Sequence, residues 1–480
     1  MSSMMRNILS SNSKVASQKL LEVILQNLIK PKKGATCASY ELAKSVIKTC
    51  AEVDDELNYL VCEFISSCIY DRDAVDCWLK EYYHEIIFEI FQCAPHNHML
   101  LPIIDSLIGE LSANQVDVRL KAVKLVGKVF AILEQHVAQK FRDLFVQFLE
   151  RFYDKSAYVR IEALQCAKAV YAVNPFWSES HEFITSVEDR LFDSDAEVRM
   201  HAVVVACDIF SSNLKLVPKK LMALMAEAIK RLQDTEISVR KLALQKLMEV
   251  YQDYCKKCCE GSMTISDHFE EIPCKILILC RHTECEELRP KRMELILADH
   301  LFPDHLSVME RTKHWIHMFS LFRTDHIKAL ITVWYHKRRL QEDMKNYLAM
   351  RKRSKNICAE ETQKEIESVF TKMATYFVNS HKAKECLHEL NKIKDNNLFK
   401  SLERLLEEPT FTNGQTIKAE LLEMVGDKNP NYDFMHELFS KCSSNIFSSE
   451  HVQCILDYCY GDEDRLKYSS EKLLVIQVFS

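Results

Sequence analysis

The chain is expected to be an all-α solenoid of stacked helical hairpins, and three observations lead there. The phrase VDVRLKAV, ending at Val123, returns as AYVRIEAL at Leu164, AEVRMHAV at Val203 and ISVRKLAL at Leu244. Its arginines, Arg119, Arg160, Arg199 and Arg240, stand 41, 39 and 41 residues apart, the length of one hairpin in a HEAT-type repeat. Glycine numbers 7 and proline 10 in 480 residues, far below the usual roughly 7% and 5%, which excludes most sheet-rich folds. Length alone suggests about three globular domains, but a solenoid grows by adding units and escapes that count.

The first region, residues 13–260, reads as a HEAT-repeat solenoid with clear repeats at about 100–255. Residues 14–50 form a helical pair, with Leu20, Leu21, Ile24, Leu25 and Leu28 on one face, a KPKKG break at 30–34, then Leu42, Val46 and Ile47. Residues 55–93 give a second pair turning near Asp71 to Asp73, with Trp78, Tyr82, Ile86, Ile87 and Ile90 along its second helix. In the four clear repeats a Val precedes each arginine (Val118, Val159, Val198, Val239), and an Ala follows three positions on (Ala122, Ala163, Ala202, Ala243), so the small residue lies where helices pack closely. An Asp stands six residues ahead of three of the arginines: Asp154, Asp193 and Asp234. An Asp in the intra-hairpin turn can bond backbone N–H groups at the next helix start, and each arginine can bridge to a neighbouring Asp, giving a ladder between units. The first repeat carries Ala113 there, so its rung is missing.

The second region, residues 261–480, reads as degenerate helical repeats. GSMTISDHFEEIP is a connector after Glu260, LFPDH at 301–305 breaks the chain again, and a helix follows through His314, Trp315, Met318 and Phe319. Residues 326–350 read as one long helix, with Leu340, Met344, Tyr347 and Leu348 on one face. A polar stretch at 351–362 precedes amphipathic segments to about Tyr460.

The seven glycines build neither a GxGxxG nor a GxxxxGK phosphate loop, and nothing resembles GxSxG or HExxH, which argues against an enzyme of those kinds. No apolar run is long enough for a signal peptide or a membrane span, so the expectation is a soluble, intracellular protein with no membrane partner. The 19 cysteines are scattered at helical positions such as Cys62, Cys166 and Cys207, the pattern of reduced core thiols rather than a disulfide scaffold. Net charge is -6, against a general nucleic-acid coat, but charge is uneven: acidic clusters sit at 54–56, 284–287 and 462–464.

The sharpest metal candidate is Cys255, Cys258 and Cys259, followed by His268, Cys274, Cys280, His282 and Cys285. One CxxC lies at a helix end and no second CxxC answers it, so ordinary buried or half-buried thiols are the preferred reading and no cofactor is expected. His314, His317 and His326 recur at helical spacing without a motif, and Asp193 with Asp195 fits a capped turn better than an acid/base pair. Two basic clusters remain. Lys337, Arg338, Arg339 and Lys345, then Arg351, Lys352, Arg353 and Lys355, form either a solvated face or a dock for an acidic peptide or DNA phosphates, and RKRSK can serve as a nuclear import signal. Arg240, Lys241, Lys246, Lys256 and Lys257, with Tyr251 and Tyr254, close the last clear repeat.

The segments TEISVRKLALQKLMEVYQDYCKKCCEG, IPCKILILC, LFPDHLSVMERTKHWIHMFSLF, KALITVWYHKRRLQEDMKNYL and KNPNYDFMHELFSKCSSNIFSSEHV resemble, in this order and spacing, the precocious-dissociation-of-sisters family of cohesin regulators. The resemblance runs over nearly the whole chain. It implies an armadillo-like α-α superhelix, a nuclear protein without enzyme activity that binds the kleisin subunit of cohesin. Releasing and acetylating factors are further implied partners, with chromatin association indirect. Kleisin binding along the central repeats points to Arg240, Lys241, Tyr251, Tyr254, Lys256 and Lys257, and the basic cluster of the long helix adds Lys337, Arg338 and Arg339.

Family members carry more repeats ahead of Ser13, including a segment that contacts releasing-factor motifs, and more helical chain after Ser480. The expectation is therefore a shortened paralogue or truncated product, monomeric unless its exposed end face self-associates, that keeps kleisin binding and weakens or loses releasing-factor binding. Rival readings are another HEAT scaffold of the transport-receptor or phosphatase-regulator type, a zinc-dependent enzyme around Cys255 to Cys285, and a direct DNA binder.

Overall fold

A computed structural model describes residues 100–132, 137–173, 175, 178–214, 219–281, 290–301, 306–353, 359–444, 446 and 448–460, with Ser45, Tyr59, His84, Glu85, Ile87, Phe88, Phe91 and Gln92 ahead of them. The helical pairs expected at 14–50 and 55–93 fall almost wholly outside these residues, as do the three acidic clusters. Among the described residues the elements are helical and there is no strand. The chain divides into two compact units, Met1–Asn213 with Val217–Arg231, and Leu214–Leu216 with Leu232–Ser480.

In the first unit the helices are α1 (Leu101–Leu111), α2 (Val116–Phe130), α3 (Arg142–Leu149), α4 (Ala157–Val173), α5 (Ser178–Arg190), α6 (Ala196–Ser212) and α7 (Lys219–Lys230). They form two layers, because α1, α3, α5 and α7 pack side by side in succession while α2, α4 and α6 do the same. The first layer is filled by phenylalanines. Phe145, Phe148 and Phe152 meet Phe183 of α5 edge-on, with ring centroids 5.2, 5.8 and 6.0 Å apart, and Phe130 of α2 closes the cluster from the second layer. The second layer is closer packed. Gly127 of α2 lies against Cys166 of α4 so tightly that any Cβ there would collide with the thiol, and Ala122, Ala163 and Ala202 are fully buried.

The turns inside the hairpins carry the repeat's polar chemistry. Arg119 grips Asp154 with two bonds, Nε to Oδ2 at 2.8 Å and Nη2 to Oδ1 at 2.9 Å, and spends Nη1 on the carbonyls of Ala113 and Asn114. Arg160 repeats the design, Nη2 to Asp193 Oδ1 at 2.7 Å and Nη1 to the Asp154 carbonyl. Each Asp also accepts the N–H two residues on, from Ser156 and Asp195 respectively, and a second arginine three residues back, Arg151 or Arg190. Arg199 bonds the carbonyls of Asp193 and Ser194. At Ala113 only the carbonyl serves its own arginine; there is no carboxylate for a rung.

The second unit comprises α8 (Ile237–Cys259), α9 (Asp267–Ile278), α10 (Pro290–Leu295), α11 (Val308–Ser320), α12 (Thr324–Arg353), α13 (Ala359–Ala374), α14 (Ser380–Lys392), α15 (Asn396–Glu407), α16 (Phe411–Val425), α17 (Tyr432–Cys442) and α18 (Ser449–Tyr460). Helix α8 ends in a Schellman turn: Gly261 takes φ 69°, its N–H bonds Cys258 O, and Ser262 N–H reaches back to Lys257 O. The connector expected at 261–273 is correspondingly short, since α9 already begins at Asp267 and carries Pro273 inside it.

Buried charge takes over where the repeat signature lapses. Glu270 of α9 has no exposed surface and accepts from Tyr251 Oη at 2.7 Å and Tyr254 Oη at 3.3 Å, with His314 Nδ1 of α11 at 2.6 Å. Lys337 of α12 donates to Glu294 at 2.9 Å and to the carbonyl of Lys441 at 2.8 Å, while Gln341 bonds Cys442 O, so α12 satisfies the open C-terminal end of α17. Further along α12, Arg351 bonds the carbonyls of Asn391 and Ile393 and lies over the Phe399 ring at 3.7 Å. An apolar core runs through Leu340, Met344, Tyr347, Phe370, Leu387, Leu402, Leu421 and Phe439.

Two outcomes follow. Burial alone pushes the Asp193 carboxyl up, but the Arg160 guanidinium, the Asp195 N–H and Arg190 outweigh it and hold it below its ordinary value of 3.8; Asp154 behaves alike. Their contribution is complete above the ordinary carboxyl range and disappears as pH falls through the lowered folded values. Asp193→Ala should cost about 3–5 kcal/mol at neutral pH, because it strands buried guanidinium groups; in urea titrations the gap to the parent should narrow below about pH 4. Tyr251→Phe removes one donor from Glu270 and should cost about 1–3 kcal/mol by the same titration.

Candidate partner-binding surface

Of the residues singled out by sequence, the structure turns some outward and others inward. Tyr251 and Tyr254 have no exposed surface; their rings lie 5.8 Å apart inside α8, and Tyr254 stacks on Phe269 at 4.2 Å. A partner therefore cannot reach them, and their role is to hold Glu270. Arg240 is likewise buried, donating to the carbonyls of Asp234 and Thr235. Lys337 is buried on Glu294, and this anchoring removes it from any surface. Lys241, Lys256, Arg338 and Arg339 are exposed and Lys257 is half-buried.

On α8 the exposed lysines do not gather. Lys241 and Lys256 are fifteen residues apart, which on a helix separates them by about 22 Å, and Lys246 between them is held by Glu249 at 2.7 Å.

On α12 an outward stripe forms instead. Lys328, Ile331, Tyr335, Arg338, Glu342 and Lys345 alternate three and four residues apart and all are exposed, so they share one face of the helix. Ile331 is 44% and Tyr335 52% exposed, large values for apolar side chains on an ordered helix. Arg339 lies over the Tyr335 ring at 4.2 Å and Arg338 over Trp334 at 5.8 Å, which fixes both guanidinium groups at the edge of the apolar strip. With Lys328, Arg338, Arg339 and Lys345 against Glu342, the stripe is cationic around an apolar centre. It can seat an acidic, amphipathic peptide. Sequence reasoning missed Ile331, because an apolar residue at helical spacing reads as core.

The described members of the cysteine and histidine cluster are not brought together around a common point. Among the described residues no three His, Cys, Asp or Glu side chains stand where they could hold one ion, and His282 and Cys285 lie outside those residues. Cys274 bonds the Met318 carbonyl and Cys280 approaches the Ala329 carbonyl. Burial pushes the Cys255 thiol well above its ordinary value and those of Cys258 and Cys280 up to about 11, so these groups stay protonated at neutral pH. Cys255, Cys274 and Cys280 are buried packing groups, while Cys259 is exposed and bonds Glu310. Among the described residues no helix is long and apolar enough to cross a membrane.

Comparison with known proteins agrees with this architecture. The solved structure titled "Structure of the Pds5-Scc1 complex and implications for cohesin function" superposes with a TM-score of 0.79 at 13% identity, over 96% of this chain and 70% of that one, and so shares the solenoid fold. Sister chromatid cohesion protein PDS5 homolog A of Arabidopsis thaliana is 32% identical over 473 residues, 98% of this chain. The human PDS5 homolog A is 24% identical over 427 residues and the Xenopus laevis homolog B-A 25% over 339. The chain spans 28%, 30% and 22% of those three relatives. The family model described as sister chromatid cohesion protein PDS5 matches residues 1–478. The chain belongs to the PDS5 family of sister chromatid cohesion proteins.

Proposed function

We propose that the chain is a non-enzymatic, cohesin-associated scaffold that binds the kleisin subunit and thereby regulates sister chromatid cohesion, the dynamics of cohesin on chromatin and DNA repair in the nucleus. The observation that carries this reading is family membership over residues 1–478, together with a solved relative whose title names a Pds5–Scc1 complex. The α12 stripe supplies a physical means. An acidic helical segment lays its apolar face on Ile331 and Tyr335 while Arg338 and Arg339 pair with its carboxylates, apolar anchors giving affinity and the rim charges speeding encounter. Lys241, Lys256 and Lys257 of α8 are the second candidate contact. Releasing and acetylating factors are further partners in this reading.

Isothermal titration of the chain with the central segment of a kleisin tests it. Binding should weaken several-fold as salt is raised, and Arg338→Glu with Arg339→Glu should weaken it about tenfold or more, roughly 1.4 kcal/mol, without changing the melting temperature. Absence of binding by a fully helical chain sinks the proposal; binding that survives this pair but fails with Lys256→Glu and Lys257→Glu moves the contact to α8.

A further inference from the structure

We propose that the hollow between the first two clear repeats of the first unit receives a tyrosine side chain from a partner peptide. The repeats differ from one another at this hollow, whatever the kleisin contact. Counting back from the ladder arginines, the seventh residue is Ser112, Tyr153, Phe192 or Gln233, and the ninth is Glu110, Arg151, Arg190 or Arg231. Where an aromatic fills the first position, the arginine of the following repeat covers it: Arg190 lies over the Tyr153 ring at 4.5 Å and Arg231 over the Phe192 ring at 4.8 Å. The residue just before that arginine matches the ring. Asp189 Oδ2 accepts the Tyr153 hydroxyl at 2.5 Å, whereas the residue before Arg231 is Lys230, which pairs with Glu227 at 2.6 Å, and Phe192 has no hydroxyl to bond.

In the first interval the cradle is present and the ring is absent. Glu150 and Arg151 stand where Asp189 and Arg190 stand, Ser112 stands where Tyr153 stands, and a hollow of about 410 Å³ opens there, lined by Ser112, Asn114, Glu150, Arg151, Tyr153 and Lys155. Arg151 is held by its edge: Nη1 on Asp154 Oδ2 at 3.0 Å, Nη2 on Glu150 Oε2 at 3.3 Å, Nε on the Gln147 carbonyl at 3.4 Å. Among the described residues no ring covers its flat face, the direction from which Tyr153 meets Arg190. A phenol seated in the hollow stacks on that face and donates its O–H to Glu150. Lys155 is exposed at the rim and has no ion pair among the described residues, so the chain flanking the tyrosine should be acidic. Phosphorylation of the tyrosine would set its phosphate against Glu150 and abolish binding.

The test pans a phage-displayed library of random dodecapeptides against the full chain. The expected result is enrichment of tyrosine flanked by Asp or Glu, at least tenfold lower recovery on the Ser112→Tyr chain, which fills the hollow from within, and a shift from tyrosine to phenylalanine with Glu150→Lys. Because Ser112→Tyr supplies the missing ring, its melting temperature should equal or exceed that of the parent, which separates blocked binding from misfolding. Three results overturn the assignment: no peptide recovered, tyrosine peptides that bind the Ser112→Tyr chain equally, or a parent chain that self-associates through the hollow and becomes monomeric in that variant.

Discussion

The carboxylate of the intra-hairpin aspartate is the constraint on which the first unit depends. Asp154 and Asp193 lie almost out of solvent, where an ionised group is costly unless each lone pair finds a donor. Each is met by an arginine of the preceding repeat, an arginine three residues back and the N–H that starts the next helix. A hydrophobic layer alone would let stacked hairpins slide, since apolar contact has no direction. A buried carboxylate with three directed donors does not. A buried ion pair is weak evidence for net stability but strong evidence for specificity, and here it specifies register: one arginine, one aspartate, one hairpin.

The second unit solves the same problem without a repeated phrase. Glu270, Glu294 and Lys337 are as buried as the ladder groups; Glu270 meets His314 and Glu294 meets Lys337 at 44 and 43 residues' separation, close to one repeat, but with different residue types each time. Lys337 reaches across 104 residues to a carbonyl at the end of α17, so a cation acts as a C-terminal cap supplied from another helix. Such contacts occur once each. Each uses its own residue types, and that is why no repeated phrase continues past Glu260.

How much of this the sequence disclosed depends on whether a contact repeats. The hairpin period, the small alanines and the Arg–Asp pairing were legible because each occurs several times at fixed spacing. A second regularity was equally available and went unread: RFYD, RLFD and RLQD place an arginine three residues before Asp154, Asp193 and Asp234. Burial of the supposed surface residues was also legible. Tyr251 and Tyr254 continue the stripe of Leu244, Leu247 and Val250, and Lys337 lies between Val333 and Leu340 on the buried face of α12, so helical phase assigns all three to the interior despite their polarity. What could not be read was the partner of each buried polar group. Nothing local couples Tyr251 to Glu270 or Lys337 to Lys441, and exposure of Ile331 depends on which helices happen to pack beside α12.

A repeat array also makes departures from its own rule informative. When two intervals share a geometry and the third lacks the ring that completes it, the surroundings of the missing group remain as its mould. In the first interval the acid of the turn is replaced by Ala113 and the aromatic by Ser112, while Glu110 occupies the place that arginine takes elsewhere and pairs with His84 at 2.8 Å. The interval is therefore not a weakened copy of the others. Its charge pattern has been reassigned toward the N-terminal side, leaving the facing surface of the next repeat, with Glu150 and Arg151, unfilled. A structural residue costs the array little when it is lost at one position, because the remaining rungs keep the register. That tolerance is what allows a solenoid to turn a packing position into a recognition position without redesigning the fold.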